Sequence, residues 1–326
     1  MVALPPGKNE FSVAKKKLKT KVVVVANQKG GCGKTTTVVS LASAMALRGK
    51  KVSVIDCDPQ TNATQAFGLD PMALPEDRYT VLDAYLGARP ALDIEQLLPP
   101  LEEVPDEPRL GGNLWLAAGS KGVSGLQFRL DAHVNEQLAL QKITHLDADS
   151  LRDEQRQRLK GSVDSLRGER DFVFIDTGPD LGFALTTALI AADFYLIPMV
   201  PSAFDISGLK MLLKAASQIR ERYETKLALL GILLCQVKGT NLDREVRELL
   251  AETFGEGVFT IEIPNSVKLR EATFHGLSIL EHAEDGGAAK SYMALADELL
   301  TLFEKRPVSK RTPKRSSSTK ARVNAR

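Results

Sequence analysis

Short apolar runs alternate with longer amphipathic segments along most of the 326-residue chain. Runs rich in β-branched residues are typical of buried strands, and they predict strands at 21–27, 51–57, 114–118, 171–176, 194–200, 227–235 and 258–263. Helical spacing of apolar residues predicts helices at 34–48, 206–221, 242–254 and 287–304. Because strands and helices alternate, we expect an α/β fold, with a mainly parallel, doubly wound sheet and helices on both faces.

Two segments depart from this alternation. Residues 70–110 are rich in proline and acidic side chains, and residues 126–167 are charged and helix-prone. Proline-rich polar stretches between periodic segments are typical of loops. We therefore predict one domain at 21–304, with 70–110 and 126–167 as surface excursions and the second of them a candidate insertion for a partner.

A glycine-rich segment with two lysines, Lys29 and Lys34, lies between the first predicted strand and the first predicted helix. Glycines let the backbone N–H groups turn inward, and the N-terminus of a helix favours anions, so this segment predicts a polyphosphate cradle. Lys34 is placed to reach the β- and γ-phosphates, and the Thr35 hydroxyl is placed to ligate Mg²⁺. The residues predicted to bind the nucleotide are Gly30, Gly31, Cys32, Gly33, Lys34, Thr35 and Thr36.

Acidic residues lie at the ends of two predicted strands. Asp56 and Asp58 lie at the end of strand 51–57, and Asp176 ends strand 171–176. Ligands of open α/β sheets bind beyond the carboxyl ends of the strands, so we expect these carboxylates to face the cradle. Asp58 is predicted to orient water for catalysis, and Asp176 to hold Mg²⁺ through its water shell. Asp56 is open to two interpretations, a capping carboxylate or a part of the metal shell.

The cradle at 29–36 resembles the signature of the ParA/MinD superfamily of P-loop ATPases, and the chain looks like its ParA/Soj-type partitioning members. Segments 56–62, 176–182, 196–205 and 264–272 are similar to further family motifs, in the same order. The strict Walker A pattern has glycine where this chain has Gln28, so the loop is a deviant Walker A. The resemblance covers about residues 21–304, agrees with the predicted fold, and implies ATP and Mg²⁺ as cofactors.

The resemblance also implies how the two lysines differ. ATP would close a homodimer in which each Lys29 reaches the phosphates of the other subunit, while Lys34 serves its own. Lys29, Lys34 and Asp58 are therefore the predicted catalytic residues of a slow ATPase.

The segment 264–272 has further implied roles. In the family this loop lies against the adenine, which implies Pro264 and Asn265 as contacts of the base, although a simple strand-to-helix turn explains the same residues. Basic residues at the head of the following helix hold DNA in family members. The corresponding residues here are Lys268 and Arg270.

Charge is unevenly distributed along a chain whose net charge is only +2. Residues 1–21 carry a net charge of +5 and residues 305–326 one of +9, which leaves −12 for the segment between them. We expect basic tails at 1–20 and 305–326, the second disordered because it lacks large apolar residues. Such a tail fits DNA phosphates, with a solubility tail as the alternative, and its candidate DNA contacts are Lys310, Arg311, Lys314 and Arg315.

Composition narrows the cellular setting. The three cysteines are widely spaced and include no C-x-x-C pair, which favours a reducing compartment and disfavours a zinc or iron–sulfur site. The sequence has no apolar run of about 18 residues, so we expect no transmembrane segment. We predict a cytoplasmic, nucleoid-associated protein.

Three functions agree with these patterns. The first, implied by the resemblance, is a DNA-partitioning ATPase for chromosomes or plasmids, which dimerises on ATP, binds DNA non-specifically and is released when a ParB-type partner stimulates hydrolysis. The second is a MinD-like or cargo-positioning regulator that does not use DNA. The third is a DNA-binding module that only senses nucleotide, which Asp58 disfavours.

Overall fold

A computed structural model describes residues 20–74, 79–87, 109–140, 142–202 and 205–305 of the chain. Its strands are β1 (Lys21–Val25), β2 (Val52–Asp56), β3 (Leu114–Ala117), β4 (Phe172–Asp176), β5 (Phe194–Met199) and β6 (Ala228–Leu234). Its α-helices are α1 (Lys34–Leu47), α2 (Asn62–Ala66), α3 (Val81–Leu86), α4 (Leu126–Ala139), α5 (His145–Ser165), α6 (Phe183–Ala191), α7 (Asp205–Arg222), α8 (Asn241–Phe254), α9 (Val267–Phe274), α10 (Ile279–His282) and α11 (Gly287–Lys305).

The described strands form one parallel sheet in the order β3-β2-β4-β1-β5-β6. Strand β1 shows why both faces are covered. Val22 and Val24 belong to a core that includes residues of α5, α6 and α7, whereas Val23 and Val25 belong to a second core with α1 and α11. Because successive side chains point to opposite faces, a run of buried valines requires a layer on each side. The predicted fold class is confirmed.

The strand order brings distant acidic residues together. Strand β4 lies between β1 and β2, so Asp176 is paired with Val25 on one side and with Asp56 on the other. All three residues end their strands at the carboxyl edge of the sheet. The loop that follows β1 therefore begins beside two carboxylates.

The predicted strand at 258–263 is wrong. The segment runs beside β6, where Phe259 N donates to Ile232 O and Ile263 N donates to Leu234 O. The donors Phe259 and Ile263 are thus four positions apart, whereas their acceptors in β6 are two positions apart. Because of this mismatch in register, only isolated bridges form. A Cβ at Gly231 would lie 2.6 Å from the Phe259 ring, which shows that this ring packs directly over the glycine.

The two expected excursions are partly built into the core. Helix α5 packs against α6 with Leu159 and Val163 buried, so the prediction of a surface insertion at 126–167 is wrong for this helix. Within 70–110, Val81 and Tyr85 of α3 are buried in the same core, because their apolar faces meet α5 and its neighbours. Only parts of this second segment are among the described residues.

Both predicted tails lie almost wholly outside the described residues, which begin at Thr20 and end with Lys305, the last residue of α11. The candidate DNA contacts Lys310, Arg311, Lys314 and Arg315 are among the residues left out. Within the described part of the chain, no helix combines the length and the apolar character needed to cross a membrane.

Candidate active site

The cradle runs from the end of β1 at Val25 to the start of α1 at Lys34. Gly31 and Gly33 have φ angles of 70° and 94°, a left-handed conformation that strains residues with a side chain. A Cβ at Gly33 would also lie 3.6 Å from Cys235 Sγ, just after β6. Glycine therefore permits both the turn of the loop and its close packing on the sheet.

Two polar side chains hold the loop from outside. Asn27 Nδ2 donates to Pro198 O in β5 at 2.7 Å, while its Oδ1 accepts from Lys29 N at 3.1 Å. Gln236 Nε2 donates to Gly31 O at 2.7 Å. No role for Asn27 or Gln236 was predicted from the sequence, because the bonds that tie them to Pro198 and Gly31 join residues more than 170 positions apart.

The two lysines of the loop point to different places. Lys34 is 7% exposed, and its Nζ donates back to Lys29 O at 3.0 Å. Lys29 is exposed, and its Nζ lies 3.3 Å from Ser202 Oγ, beyond β5. Lys34 is thus an internal cation of the cradle, and Lys29 is a cation on its outer surface.

The other predicted cradle residues follow the loop in order. Gly30 is exposed, Cys32 is fully buried, and Thr36 is half-buried in the first turn of α1. A Cβ at Gly30 or Gly31 would meet no atom within 4 Å. The glycine stretch therefore has an open side, as a cradle for a ligand requires.

Asp176 and Thr35 form a pair at the floor of the loop. Thr35 Oγ1 donates to Asp176 Oδ2 at 2.7 Å, and Asp176 Oδ1 is buried without a hydrogen-bond partner among the described residues. Burial, and next the charge of Asp56, raises the pKa of Asp176 well above its usual range. A buried carboxyl oxygen without a hydrogen-bond donor is destabilising unless it is paired, and a bound cation can supply the missing partner.

These residues fit Mg²⁺ held together with a nucleotide. Among the described residues, no group of three or more His, Cys, Asp and Glu side chains could hold a metal ion. Mg²⁺ is commonly bound through one or two protein oxygens together with waters and substrate phosphates. The hydroxyl of Thr35 and the carboxyl of Asp176 can supply such oxygens next to the cradle.

Asp56 has the capping role. Its Oδ2 accepts from the backbone N of Thr64, at 2.8 Å, and from Thr64 Oγ1, at 2.7 Å, in the first turn of α2. Its Oδ1 accepts from Asp58 N at 3.2 Å. Burial raises the pKa of Asp56 to about 6, although the Thr64 bonds oppose this rise. Thr64 was not predicted from the sequence, although its position eight residues after Asp56, at the start of a helix, could have suggested it as a partner.

Asp58 is held by hydrogen bonds beside the loop that follows β4. Its Oδ1 accepts from Gln60 N at 2.9 Å, and its Oδ2 accepts from Asn62 Nδ2 at 3.2 Å. The side chain is 4% exposed and faces the loop after β4, because a Cβ at Gly178 would lie 3.3 Å from Oδ1. Thr61, in the same turn, has φ of 57°, which is rare for a β-branched residue. The loop thus fixes this carboxylate in one orientation.

Pro264 and Asn265 lie beside the segment after β6 that contacts the cradle. Asn265 N donates to Val237 O at 2.9 Å, and Val237 directly follows the Gln236 that bonds Gly31. Pro264 is half-buried and Asn265 is exposed. The structure therefore brings this loop and the cradle to the same segment after β6.

The predicted DNA contacts on α9 differ in their surroundings. Lys268 Nζ lies 2.7 Å from Glu271 Oε2 on the same helix, and Glu271 also lies 3.3 Å from His282 Nε2. Arg270 is exposed. Glu271 therefore offsets part of the positive charge at the head of this helix.

A parallel sheet with a glycine-rich loop, an internal lysine and a threonine opposite a strand-end aspartate defines a P-loop nucleoside triphosphatase. A family model described as "AAA domain" matches residues 20–229. The chain is 30% identical over 281 residues to the chromosome-partitioning ATPase Soj of Treponema pallidum, covering 86% of this chain and 97% of that protein. The chain belongs to the ParA/Soj family of P-loop ATPases.

Solved structures show the same fold in proteins with other names. Cobyrinic acid a,c-diamide synthase from Mycobacterium smegmatis, with bound ADP and magnesium, is 25% identical with a TM-score of 0.66, over 90% of this chain and 100% of that one. The septum site-determining protein MinD from Pyrococcus horikoshii, complexed with Mg-ADP, is 20% identical with a TM-score of 0.60, over 87% and 97%. The second likeness concerns the fold alone.

Proposed function

We propose that this chain is a DNA-partitioning ATPase for a chromosome or plasmid. It binds ATP with Mg²⁺, forms a homodimer on ATP, holds DNA without sequence preference, and is released when a ParB-type partner stimulates a slow hydrolysis. The observation that carries the proposal is the pair of lysines in one loop, of which Lys34 turns inward and Lys29 stays outside. A P-loop that serves only its own nucleotide needs no second, outward-facing cation.

On this proposal, each side chain around the cradle has a defined role in binding or hydrolysing the nucleotide. Lys34 holds the phosphates of its own nucleotide, while Thr35 and Asp176 hold the metal, which neutralises charge on the phosphate oxygens. Asp58, fixed by two hydrogen bonds, orients the attacking water. Lys29 extends to the phosphates of the second subunit. Gly30, Gly31, Cys32, Gly33 and Thr36 line the phosphates, and Pro264 and Asn265 contact the base.

DNA binding draws on the basic termini. The Phe303 ring packs against Phe172 and Phe194, at the amino ends of β4 and β5, and Lys21 Nζ lies 5.5 Å from the same ring. The described part of the chain therefore begins and ends at the same end of the sheet. On this proposal, the basic sequences before Thr20 and after Lys305 supply positive charge for DNA phosphates.

A second candidate is a spatial regulator that does not use DNA. The ion pair between Lys268 and Glu271 favours it, because this pair reduces the positive charge that α9 offers to phosphates. Under this function, DNA affinity would be weak in every nucleotide state. The partner would then be a division or cargo protein.

The deciding experiment measures binding to a non-specific DNA duplex at several salt concentrations, with ATP, with ADP and without nucleotide. We expect wild type to bind tightly only with ATP, and Lys29→Ala and Lys34→Ala to lose this dependence. The control is Lys214→Ala, which removes an exposed charge on α7. Equal binding in all nucleotide states would refute the switch, and weak binding throughout would favour the regulator.

A truncated chain and a double substitution distinguish the DNA contacts of the C-terminal tail from those of α9. A chain that ends after Lys305 lacks Lys310, Arg311, Lys314 and Arg315, and we expect lower affinity with a shallower salt dependence. Lys268→Ala with Arg270→Ala tests α9 in the same assay. An unchanged salt slope in the truncated chain would make the tail a solubility element only.

Hydrolysis and metal binding are tested separately. Asp58→Asn keeps an acceptor for Gln60 N but removes the charge, so we expect ATP to bind while turnover falls about 100-fold. Thr35→Val should lose the increase in ADP affinity that Mg²⁺ produces, by about tenfold or more, whereas Thr35→Ser keeps it. Wild-type turnover in Asp58→Asn would contradict the role of Asp58 in orienting water. Equal Mg²⁺ dependence in both Thr35 variants would contradict the role of Thr35 in binding the metal.

A further inference from the structure

Gln236, just after β6, has an unusual backbone and a contact with the cradle. Its φ is 57°, in the left-handed region where residues with a Cβ are strained. Its side-chain amide donates to Gly31 O at 2.7 Å. Strain that persists in a folded protein is a reason to look for a function of the strained residue.

Gly30 and Gly31 of the cradle have no side chain that would restrain the orientation of the peptide groups next to them. Neither Gly30 nor Gly31 would bring a Cβ within 4 Å of another atom, and Gly31 has φ of 70°. A glycine populates positive and negative φ about equally, so Gly31 itself places no steric restraint on the Gly31–Cys32 peptide. A hydrogen bond to Gly31 O can decide it.

The peptide unit is planar and trans, so its C=O and its N–H point in opposite directions. Gln236 fixes Gly31 O on the side of the β6 loop. The N–H of Cys32, in the same peptide unit, is therefore directed away from Gln236. Backbone N–H groups of a loop that precedes a helix are the groups that bind phosphate.

The neighbours of Gln236 show that its segment is itself well anchored. Cys235 N donates to Met199 O at 2.8 Å, and Val237 N donates to Ile263 O at 3.0 Å. A side chain on a segment held from both sides can hold a flexible loop in place.

We propose that Gln236 is a positioning residue that sets the orientation of the Gly31–Cys32 peptide, so that the Cys32 N–H is presented to the phosphates of the nucleotide. The inference rests on the proposed ATP site. It assigns part of nucleotide affinity to a residue outside the P-loop motif. The role assigned to Gln236 acts through this peptide and does not depend on a contact of its own with nucleotide or metal.

The test compares Gln236→Met and Gln236→Gly with wild type in steady-state ATP hydrolysis. Methionine has similar length but no amide, and glycine also removes the backbone strain. We expect both variants to raise KM for ATP about tenfold while kcat stays within about twofold, because one hydrogen bond is lost before the chemical step. The control Gln218→Glu, an exposed position on α7, should leave both parameters unchanged.

Thermal unfolding without nucleotide distinguishes positioning from a merely structural role. If Gln236 only stabilised the fold, Gln236→Met would lower the midpoint and the active fraction, so that kcat fell at constant KM. A KM within twofold of wild type in Gln236→Gly would refute the proposal, since this variant relieves strain and should fold. Failure of wild type to hydrolyse or bind ATP would instead refute the proposed function.

Discussion

Thr64→Val is a sharp perturbation of the network beneath the cradle. Thr64 is fully buried, and its hydroxyl donates to Asp56 Oδ2 at 2.7 Å and accepts from Gly119 N at 2.8 Å. Valine keeps the shape of threonine but has no hydroxyl, so no cavity forms. The substitution removes two hydrogen bonds. The Gly119 N–H loses its acceptor, and Asp56 Oδ2 loses one of its two donors.

The expected effect follows from these two bonds. A hydrogen bond to a carboxylate contributes about 1.5–3 kcal/mol, and a buried N–H left without a partner costs about 1–3 kcal/mol. The backbone N of Thr64 still donates to Asp56 at 2.8 Å, so part of the carboxylate contact survives. We therefore expect Thr64→Val to lower the free energy of unfolding by about 3 kcal/mol.

Urea unfolding of the nucleotide-free protein measures this change, with Thr64→Ser as the matched control. Serine keeps the hydroxyl and loses one methyl group, so about 1 kcal/mol is expected. Asp58 N donates to Asp56 Oδ1, so a shifted Asp56 should also lower the ATPase rate of Thr64→Val. If Thr64→Val proved no less stable than Thr64→Ser, the two hydroxyl bonds would not carry the energy assigned to them.

Two further predictions concern packing and backbone. Phe303→Ala should destabilise the protein by about 3–4 kcal/mol in urea unfolding, since the ring is 7% exposed, whereas Phe128→Ala, 78% exposed, should change stability by less than about 0.5 kcal/mol. Gly276→Ala should reduce the melting temperature more than Gly49→Ala. Both glycines have positive φ, but only at Gly276 would a Cβ lie 2.5 Å from a backbone atom of Gly68. Similar effects within either pair would contradict the packing described.

The sequence predicted those elements whose signal is local. Strands β1 and β4 contain uninterrupted apolar runs, β2 is interrupted only by Ser53 before its final Asp56, and the loop after β1 carries its own glycines and lysines. The predicted strand at 258–263 has the alternation of a strand, but pairing also depends on the register with β6, which packing of Phe259 over Gly231 disturbs. No feature within a short segment reveals such a register.

In the candidate site, too, locally encoded features could be predicted from the sequence, and long-range contacts could not. The location of Asp58 and Asp176 at one edge of the sheet could be predicted, because carboxylates at the ends of parallel strands meet there. The choice between two roles for Asp56 needed the contact with Thr64, which depends on how α2 turns back on β2. Gln236 could not be predicted, since its partner lies 205 positions away and glutamine at a loop is common.

The positions of the termini constrain how nucleotide could control DNA binding. Lys21 and Phe303 lie at the amino ends of the strands, and the cradle lies at the carboxyl ends, about 17 Å away along a five-residue strand. The nucleotide cradle and the points where the basic segments join the domain therefore lie at opposite ends of the sheet. On the proposed function, dimerisation couples the two, because it brings two sets of tails to one DNA and multiplies their affinities. A tail-truncated chain should then bind DNA more weakly in every state while still dimerising on ATP.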